Sequence, residues 1–100
     1  MQLADAEKWM KEFYEKRGWT EYGPFIRVGF LMEEAGELAR AVRAYEIGRD
    51  RPDEKESSRL IEEMGDVIGN IAILADMYGV SLEDVMKAHQ EKLTKRFEHA

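Results

Sequence analysis

The sequence predicts an all-α fold, a bundle-like domain of four helices that is completed by oligomerisation. Four segments carry apolar side chains at the three- and four-residue spacings of a helix face, and none alternates as a half-buried strand does. Three of the segments end at a glycine, namely Gly18, Gly48 or Gly79. With 100 residues, 44% of them hydrophobic, the chain is expected to form one domain, residues 1–100, with a real core.

The first two predicted helices are separated by a short aromatic connector. The first helix runs from about Ala4 to Arg17, and residues 19–23 form the connector. Pro24 suits the first turn of the second helix, which continues to about Ile47. The apolar stripe of the first helix is Ala6, Trp9, Met10, Phe13 and Tyr14. Aromatic residues at helical spacing are more typical of a core than of a stacking site, so we expect Trp9 and Phe13 to be core residues.

The third and fourth helices follow a charged loop over residues 48–54. Asp53, with Glu56 three residues later, is a possible cap for the third helix. The fourth helix has a clearer start, because Ser81 can cap it and Asp84 stands at its third position. The apolar stripe of the third helix is Leu60, Ile61, Met64, Val67, Ile68, Ile71, Ala75 and Tyr78, and the fourth helix ends near Phe97.

Composition excludes several classes of function. The net charge of −6 disfavours generic binding to nucleic-acid phosphates. The absence of cysteine excludes disulfides and thiolate metal sites and fits a reducing compartment. No apolar run approaches the length of a membrane span, and the N-terminus lacks the pattern of a signal peptide. We therefore expect a cytoplasmic protein with neither a nucleic acid nor a membrane as partner.

Two acidic motifs stand on the second and third helices: Glu33-Glu34-Ala35-Gly36-Glu37 and Glu62-Glu63-Met64-Gly65-Asp66. Within each motif, carboxylates three residues apart share one helix face, with Cβ atoms about 5–6 Å apart. If the two helices pack side by side, four carboxylates converge, and such like charges repel strongly unless a cation lies among them. The four are Glu34, Glu37, Glu63 and Asp66.

A second packed row beside each apolar stripe favours a site over a solvated surface. Either motif alone is more typical of surface, since a chain with 21 acidic residues contains chance pairs. On the second helix the row is Phe30, Glu34, Glu37, Ala41 and Ala44, and on the third it is Glu63, Asp66, Asn70, Leu74 and Met77. Acids inside a packed row must be paired or bound to a metal, because a lone buried carboxylate is costly.

A metal accounts for four converging acids better than ion pairs do. The alternative partners are Arg27, Arg40 and Arg43. Carboxylate oxygens suit a hard cation, Mg²⁺ or Mn²⁺, and such an ion with open positions usually binds substrate phosphates. Four or five carboxylates can serve one metal ion or several.

Together the motifs resemble those of the all-α nucleoside triphosphate pyrophosphohydrolases, specifically the MazG-like branch. The shared pattern is Glu33-Glu34-x-x-Glu37, a gap of 25 residues, then Glu63-x-x-Asp66. Residues 31–38 and 62–68 resemble the two central helices of that family, and residues 92–97 resemble its basic C-terminal segment. The resemblance covers residues 25–97.

The resemblance implies Mg²⁺-dependent hydrolysis of a ribo- or deoxyribonucleoside triphosphate between the α and β phosphates, with Mn²⁺ as a possible substitute. Glu33 then orients or deprotonates the attacking water, and Lys92 and Arg96 contact phosphates. Asn70 either contacts the ligand or is a polar group of the helix interface. The alternative for the two basic residues is a favourable interaction with the helix dipole. The implied metal ligands are Glu34, Glu37, Glu63 and Asp66.

The second packed row on the second and third helices also predicts self-association. In so small a domain, the second faces are expected to meet another copy, as a homodimer or homotetramer. Within the same superfamily the alternative activity is phosphoribosyl-ATP pyrophosphohydrolysis. From a different class, the alternative is a non-catalytic helical interaction module whose acids are only surface charge.

Overall fold

The computed structural model of the protein describes residues 1–47 and 57–98, and over these residues it contains four α-helices and no strand. The predicted all-α fold is therefore confirmed. The predicted loop over residues 48–54 and the possible cap formed by Asp53 and Glu56 lie outside the described residues. The helices are α1 (Leu3–Lys16), α2 (Pro24–Ile47), α3 (Ser57–Met77) and α4 (Leu82–Phe97).

Local signals account for the helix boundaries. Gly18 and Gly79 adopt positive φ angles of 72° and 74°, the left-handed conformation in which glycine commonly ends a helix. At the start of α4, the Ser81 hydroxyl accepts a hydrogen bond from the Asp84 amide at 3.1 Å, and the Asp84 carboxylate accepts one from the Ser81 amide at 2.9 Å. The predicted cap of the fourth helix is thus present as a reciprocal capping box.

Helices α2 and α3 form the principal helix pair of the fold. They run antiparallel, since Arg27 near the start of α2 bonds Asn70 in the second half of α3, whereas Glu34 lies beside Glu63 in the first half. This pairing brings the two acidic motifs together. The fully or nearly fully buried apolar side chains are mostly small, and small side chains let helices approach closely: Ala41, Ala44, Ala72, Ile73, Ala75 and Leu82.

Helix α1 packs against α3 and α4 through polar as well as apolar contacts. The buried Glu7 carboxylate accepts a hydrogen bond from the Leu82 amide at 2.9 Å, so that α1 satisfies one of the free amides at the start of α4. Close approach to α3 occurs at Gly69, where a Cβ atom would lie 3.1 Å from the Met10 sulfur and 3.2 Å from the Tyr14 hydroxyl.

The prediction that Trp9 lies in the core is wrong for the chain as described. Its side chain is 63% exposed, and it stacks on the half-buried Phe13 at a ring-centroid distance of 4.9 Å. The reason is that α1 meets its neighbours through Glu7, Met10 and Tyr14, which leaves Trp9 on the flank. Within the described part of the chain, no helix is long and apolar enough to cross a membrane.

Candidate active site

Three carboxylates from two helices meet at the centre of the α2–α3 pair. Glu34 of α2 and Glu63 and Asp66 of α3 each offer an oxygen within 4.8 Å of the others. Glu63 and Asp66 share a face because they are three residues apart, and the antiparallel pairing sets Glu34 opposite them. Glu34 and Glu63 are half-buried and Asp66 is exposed. We call these three residues the acidic cluster.

The electrostatics of the acidic cluster are unfavourable without a cation. Burial raises the pKa of Glu34, and the nearby charges of Asp66 and Glu63 raise it further. The pKa of Glu63 is raised in the same way, first by burial and then by the charge of Asp66, while Arg59 opposes the shift. Since the pKa values of Glu34 and Glu63 are both raised, a bound cation would stabilise the fully charged cluster.

Glu33 and Glu37 flank the acidic cluster. Glu37 does not join the group of oxygens within 4.8 Å, although its charge contributes to the raised pKa values of Glu34 and Glu63. An oxygen of Glu37 lies 4.0 Å from Arg40 Nη1. Glu33 is exposed, and its charge also reaches Glu34. The structure therefore brings together three of the four predicted ligands, with the fourth beside them.

A cavity of about 430 Å³ opens beside the acidic cluster and shares Glu34 and Asp66 with it. Its volume lies within the range of small-molecule sites. Half of the lining residues are aromatic: Tyr22 meets Phe30 edge-on at a ring-centroid distance of 5.5 Å, and Tyr14 meets Trp19 edge-on at 5.3 Å. The cavity is lined by Tyr14, Trp19, Tyr22, Arg27, Phe30, Glu34, Asp66 and Asn70.

Besides Glu34 and Asp66, the polar lining of the cavity includes an Arg27–Asn70 pair that is buried at the helix interface. Arg27 Nη1 donates to Asn70 Oδ1 at 3.0 Å, and Arg27 Nη2 donates to the backbone carbonyl of Trp19. Asn70 Nδ2 donates to the backbone carbonyl of Asp66 at 2.9 Å. Asn70 is thus a polar group of the helix interface that also lines the cavity, and its contact with a ligand stays a prediction.

Sequence reasoning missed the place of Arg27 in this site. By sequence alone Arg27 is only a candidate ion-pair partner for the acids, yet its hydrogen bonds go to an amide oxygen and a carbonyl. A signal was present, because Arg27 stands seven residues, about two helical turns, before Glu34 and so shares its face. Tyr14 also lines the cavity; burial raises the pKa of its phenol and the charge of Asp66 adds to this, against the effect of Arg27.

The predicted phosphate contacts lie apart from this cavity in the chain as described. Lys92 and Arg96 are exposed on α4, and neither belongs to the lining of the cavity. Arg96 stands in the last turn of α4, where a positive charge also favours the helix dipole. Their role in substrate binding stays a prediction.

Comparison with known proteins gives a family and one very similar relative. The family model described as MazG nucleotide pyrophosphohydrolase domain matches residues 27–100. A curated protein from Bacillus subtilis (strain 168), "Uncharacterized protein YvdC", is 94% identical over an alignment of 106 residues that covers 100% of each chain. No solved structure matches the chain significantly. The matched segment begins at Arg27 and includes the whole acidic cluster.

Proposed function

The chain belongs to the MazG nucleotide pyrophosphohydrolase family, and we propose that it hydrolyses a nucleoside triphosphate between the α and β phosphates. The products would be the nucleoside monophosphate and pyrophosphate. The observation that carries the proposal is the acidic cluster beside a cavity with aromatic lining residues, with which it shares Glu34 and Asp66. A metal-bound polyphosphate at the cluster and a nucleoside in the cavity would occupy adjoining parts of one site.

The residues of the acidic cluster fit a hard divalent cation. Their donors are all carboxylate oxygens, and burial together with the neighbouring acidic charges raises the pKa values of Glu34 and Glu63, an effect that a cation would offset. We propose Glu34, Glu63 and Asp66 as ligands to Mg²⁺, with Mn²⁺ as a substitute, and Glu37 as the fourth ligand. When bound, Mg²⁺ would supply charge neutralisation and polarisation of the phosphoryl oxygens.

The remaining polar residues are proposed to act on water and phosphates. Glu33 is exposed beside Glu34, so its carboxylate is the proposed group that orients the attacking water and accepts its proton. Lys92 and Arg96 are proposed phosphate contacts. Both residues lie on α4 and outside the lining of the cavity. Replacing either one should therefore weaken phosphate binding without affecting metal binding.

We also propose that the protein works as a homodimer or homotetramer. Large apolar side chains on α2 and α3 stay exposed in the single chain, a pattern typical of an interaction face. They include Met32, Ile61 and Ile68, which are 64%, 67% and 50% exposed. Sedimentation or light scattering should give a mass at least twice the 11.6 kDa of one chain, and a monomer across the micromolar range would contradict this.

The activity is tested by measuring pyrophosphate and nucleotide products together. Purified protein is incubated with the common ribo- and deoxyribonucleoside triphosphates, in Mg²⁺ and in excess chelator, and the products are separated by anion exchange. The proposal predicts equal amounts of pyrophosphate and monophosphate, formed only with metal. Release of single phosphates, or no turnover of any nucleotide by folded protein, would contradict it.

A further inference from the structure

The most unusual group beside the candidate active site is the Arg27 guanidinium. Arg27 is 4% exposed, and its Nε atom is buried without a hydrogen-bond partner in the described structure. A guanidinium carries five N–H donors and no acceptor. Two of these donors are engaged, one by the Asn70 side chain and one by the Trp19 carbonyl. Leaving donors of a buried charged group unpaired is costly, and Arg27 lines the cavity, so its guanidinium has donors to spare beside the space where a ligand would bind.

The surroundings of Arg27 define the kind of ligand. Its guanidinium lies 5.3 Å from the ring centroid of Phe30 and 6.0 Å from that of Tyr14, so the charge is held between aromatic side chains of the same cavity. Aromatic walls accept a flat ring by stacking. The edge of such a ring would face Arg27 and Asn70.

This polar edge of the cavity mainly offers donors. Asn70 Oδ1 already accepts from Arg27, while one N–H of its amide stays free after the bond to the Asp66 carbonyl. The neighbouring Arg27 lines the cavity and has one further N–H on each of Nη1 and Nη2 beyond those bonded to Asn70 and Trp19, and it has no acceptor. A base edge with a carbonyl oxygen complements these donors, and a guanidinium can donate twice to the O6 and N7 acceptors of an oxopurine. An exocyclic amino group at the same position would set donor against donor.

We propose that Arg27, oriented by Asn70, selects nucleobases that carry a carbonyl group over those that carry an amino group at the corresponding ring position. This inference rests on the proposed function, because it assumes that the cavity receives the base of the nucleotide substrate. The favoured substrates are thus oxopurine and oxopyrimidine nucleotides, and the disfavoured ones are those of adenine and cytosine. Arg27 is a specificity-determining residue in this account.

Two substrate pairs isolate the proposed contact. ITP and ATP differ at position 6 of the purine, and UTP and CTP differ at position 4 of the pyrimidine, in each case by a carbonyl against an amino group. In the native protein with Mg²⁺, kcat/KM for ITP should exceed that for ATP by about tenfold or more, and likewise for UTP over CTP, because a mismatched edge leaves buried donors unpaired. Ratios near one, or ratios that favour the amino bases, would overturn the proposal without any variant.

Variants then assign the preference to Arg27. Arg27→Lys keeps the charge but loses Nε–H and the planar fork, so both ratios should fall to within about threefold of one. Tyr22→Leu is the matched control, since it removes a ring of the same cavity that, unlike Phe30 and Tyr14, does not lie over Arg27 in the described structure, and it should leave the ratios unchanged even if rates fall for all four nucleotides. If Arg27 only clamps the connector to α3, Arg27→Lys would lower all four rates together and leave the ratios intact, and the proposal would fail.

A binding experiment separates this proposal from the proposed function. Trp19 lines the cavity, so its fluorescence should report the binding of IMP, AMP, UMP and CMP in the native protein without turnover. Tighter binding of IMP than AMP, and of UMP than CMP, supports the role of Arg27 even if no triphosphate is hydrolysed. Turnover of triphosphates together with equal binding within each pair would refute the role of Arg27 and leave the hydrolase proposal standing.

Discussion

Replacement of Glu34 by Gln should change the stability of the protein in opposite directions with and without metal. In a chelator, Glu34 faces two other carboxylates whose oxygens lie within 4.8 Å. Two unit charges at that distance repel by about 0.9 kcal/mol in water and by about 3.5 kcal/mol at an effective dielectric constant of 20. Because the cluster is open to solvent, the lower figure applies, and two pairs give roughly 1–2 kcal/mol.

Glu34→Gln should therefore raise Tm in a chelator at low salt by about 4–16 °C, since 1 kcal/mol shifts Tm by about 4–8 °C in a domain of this size. In 1 M salt the gain should shrink, because exposed charges are screened. With Mg²⁺ at 100 times its Kd, the native protein should gain about 2.7 kcal/mol and the variant much less.

Differential scanning calorimetry in chelator and in Mg²⁺ measures both effects, with Glu12→Gln on the exposed face of α1 as the matched control. The control should behave like the native protein in every buffer. Two results would show that the acidic cluster is not a metal site with mutually repelling ligands. One is a lower Tm for Glu34→Gln than for the native protein in the chelator, and the other is an equal rise in Tm on addition of Mg²⁺ for the native protein and for Glu34→Gln.

Four further predictions concern the stability of α4 and the residues on it. Glu7→Ala should cost about 1.5–3 kcal/mol in chemical denaturation, because it strands a buried amide, and Glu7→Gln should cost less; equal costs would contradict this. Ser81→Ala should cost about 1 kcal/mol, and no change would refute the capping role. Hydrogen bonds with Ser81 lower the pKa of Asp84, so the charged carboxylate stabilises the fold at pH values above the usual aspartate pKa. The difference in unfolding free energy between the native protein and Asp84→Ala should therefore narrow as the pH falls below about 4. A difference that does not change with pH would exclude an ionised cap. Lys92→Ala and Arg96→Ala should raise KM for triphosphates while leaving the Mg²⁺-induced rise in Tm intact, and a lost metal response would contradict their assignment to phosphate.

The helices were predictable because their signals are local. Gly18 and Gly79 end helices through their own backbone conformation, and Ser81 with Asp84 starts one through bonds across three residues. The proximity of Glu34 to Glu63 and Asp66 was predictable for a related reason. A spacing of three residues fixes a face, and two such faces in an all-α chain have few ways to pack.

Features that depend on how one helix is rotated against another were not predictable. Spacing alone places Glu37 with Glu34, but the packing of α2 on α3 sets Glu37 to the side, near Arg40. The bond between Arg27 and Asn70 joins residues 43 positions apart and appears only once the helices are paired. The exposure of Trp9 likewise depends on which face of α1 meets the neighbouring helices. The apolar stripe is wider than that face, so the stripe alone does not tell which of its residues are buried.

The most direct test of the central claim compares pyrophosphate release by the native protein, Glu34→Gln, Asp66→Asn and the control Glu12→Gln. Each protein is first shown to be folded, and the best nucleoside triphosphate is then assayed in Mg²⁺ and in chelator. We predict metal-dependent release of pyrophosphate by the native protein and the control, and a loss of about 100-fold or more in the two cluster variants, since each removes a proposed ligand to the metal. Pyrophosphate release that continues in chelator, or that is unchanged in both cluster variants, would contradict a catalytic role for the acidic cluster.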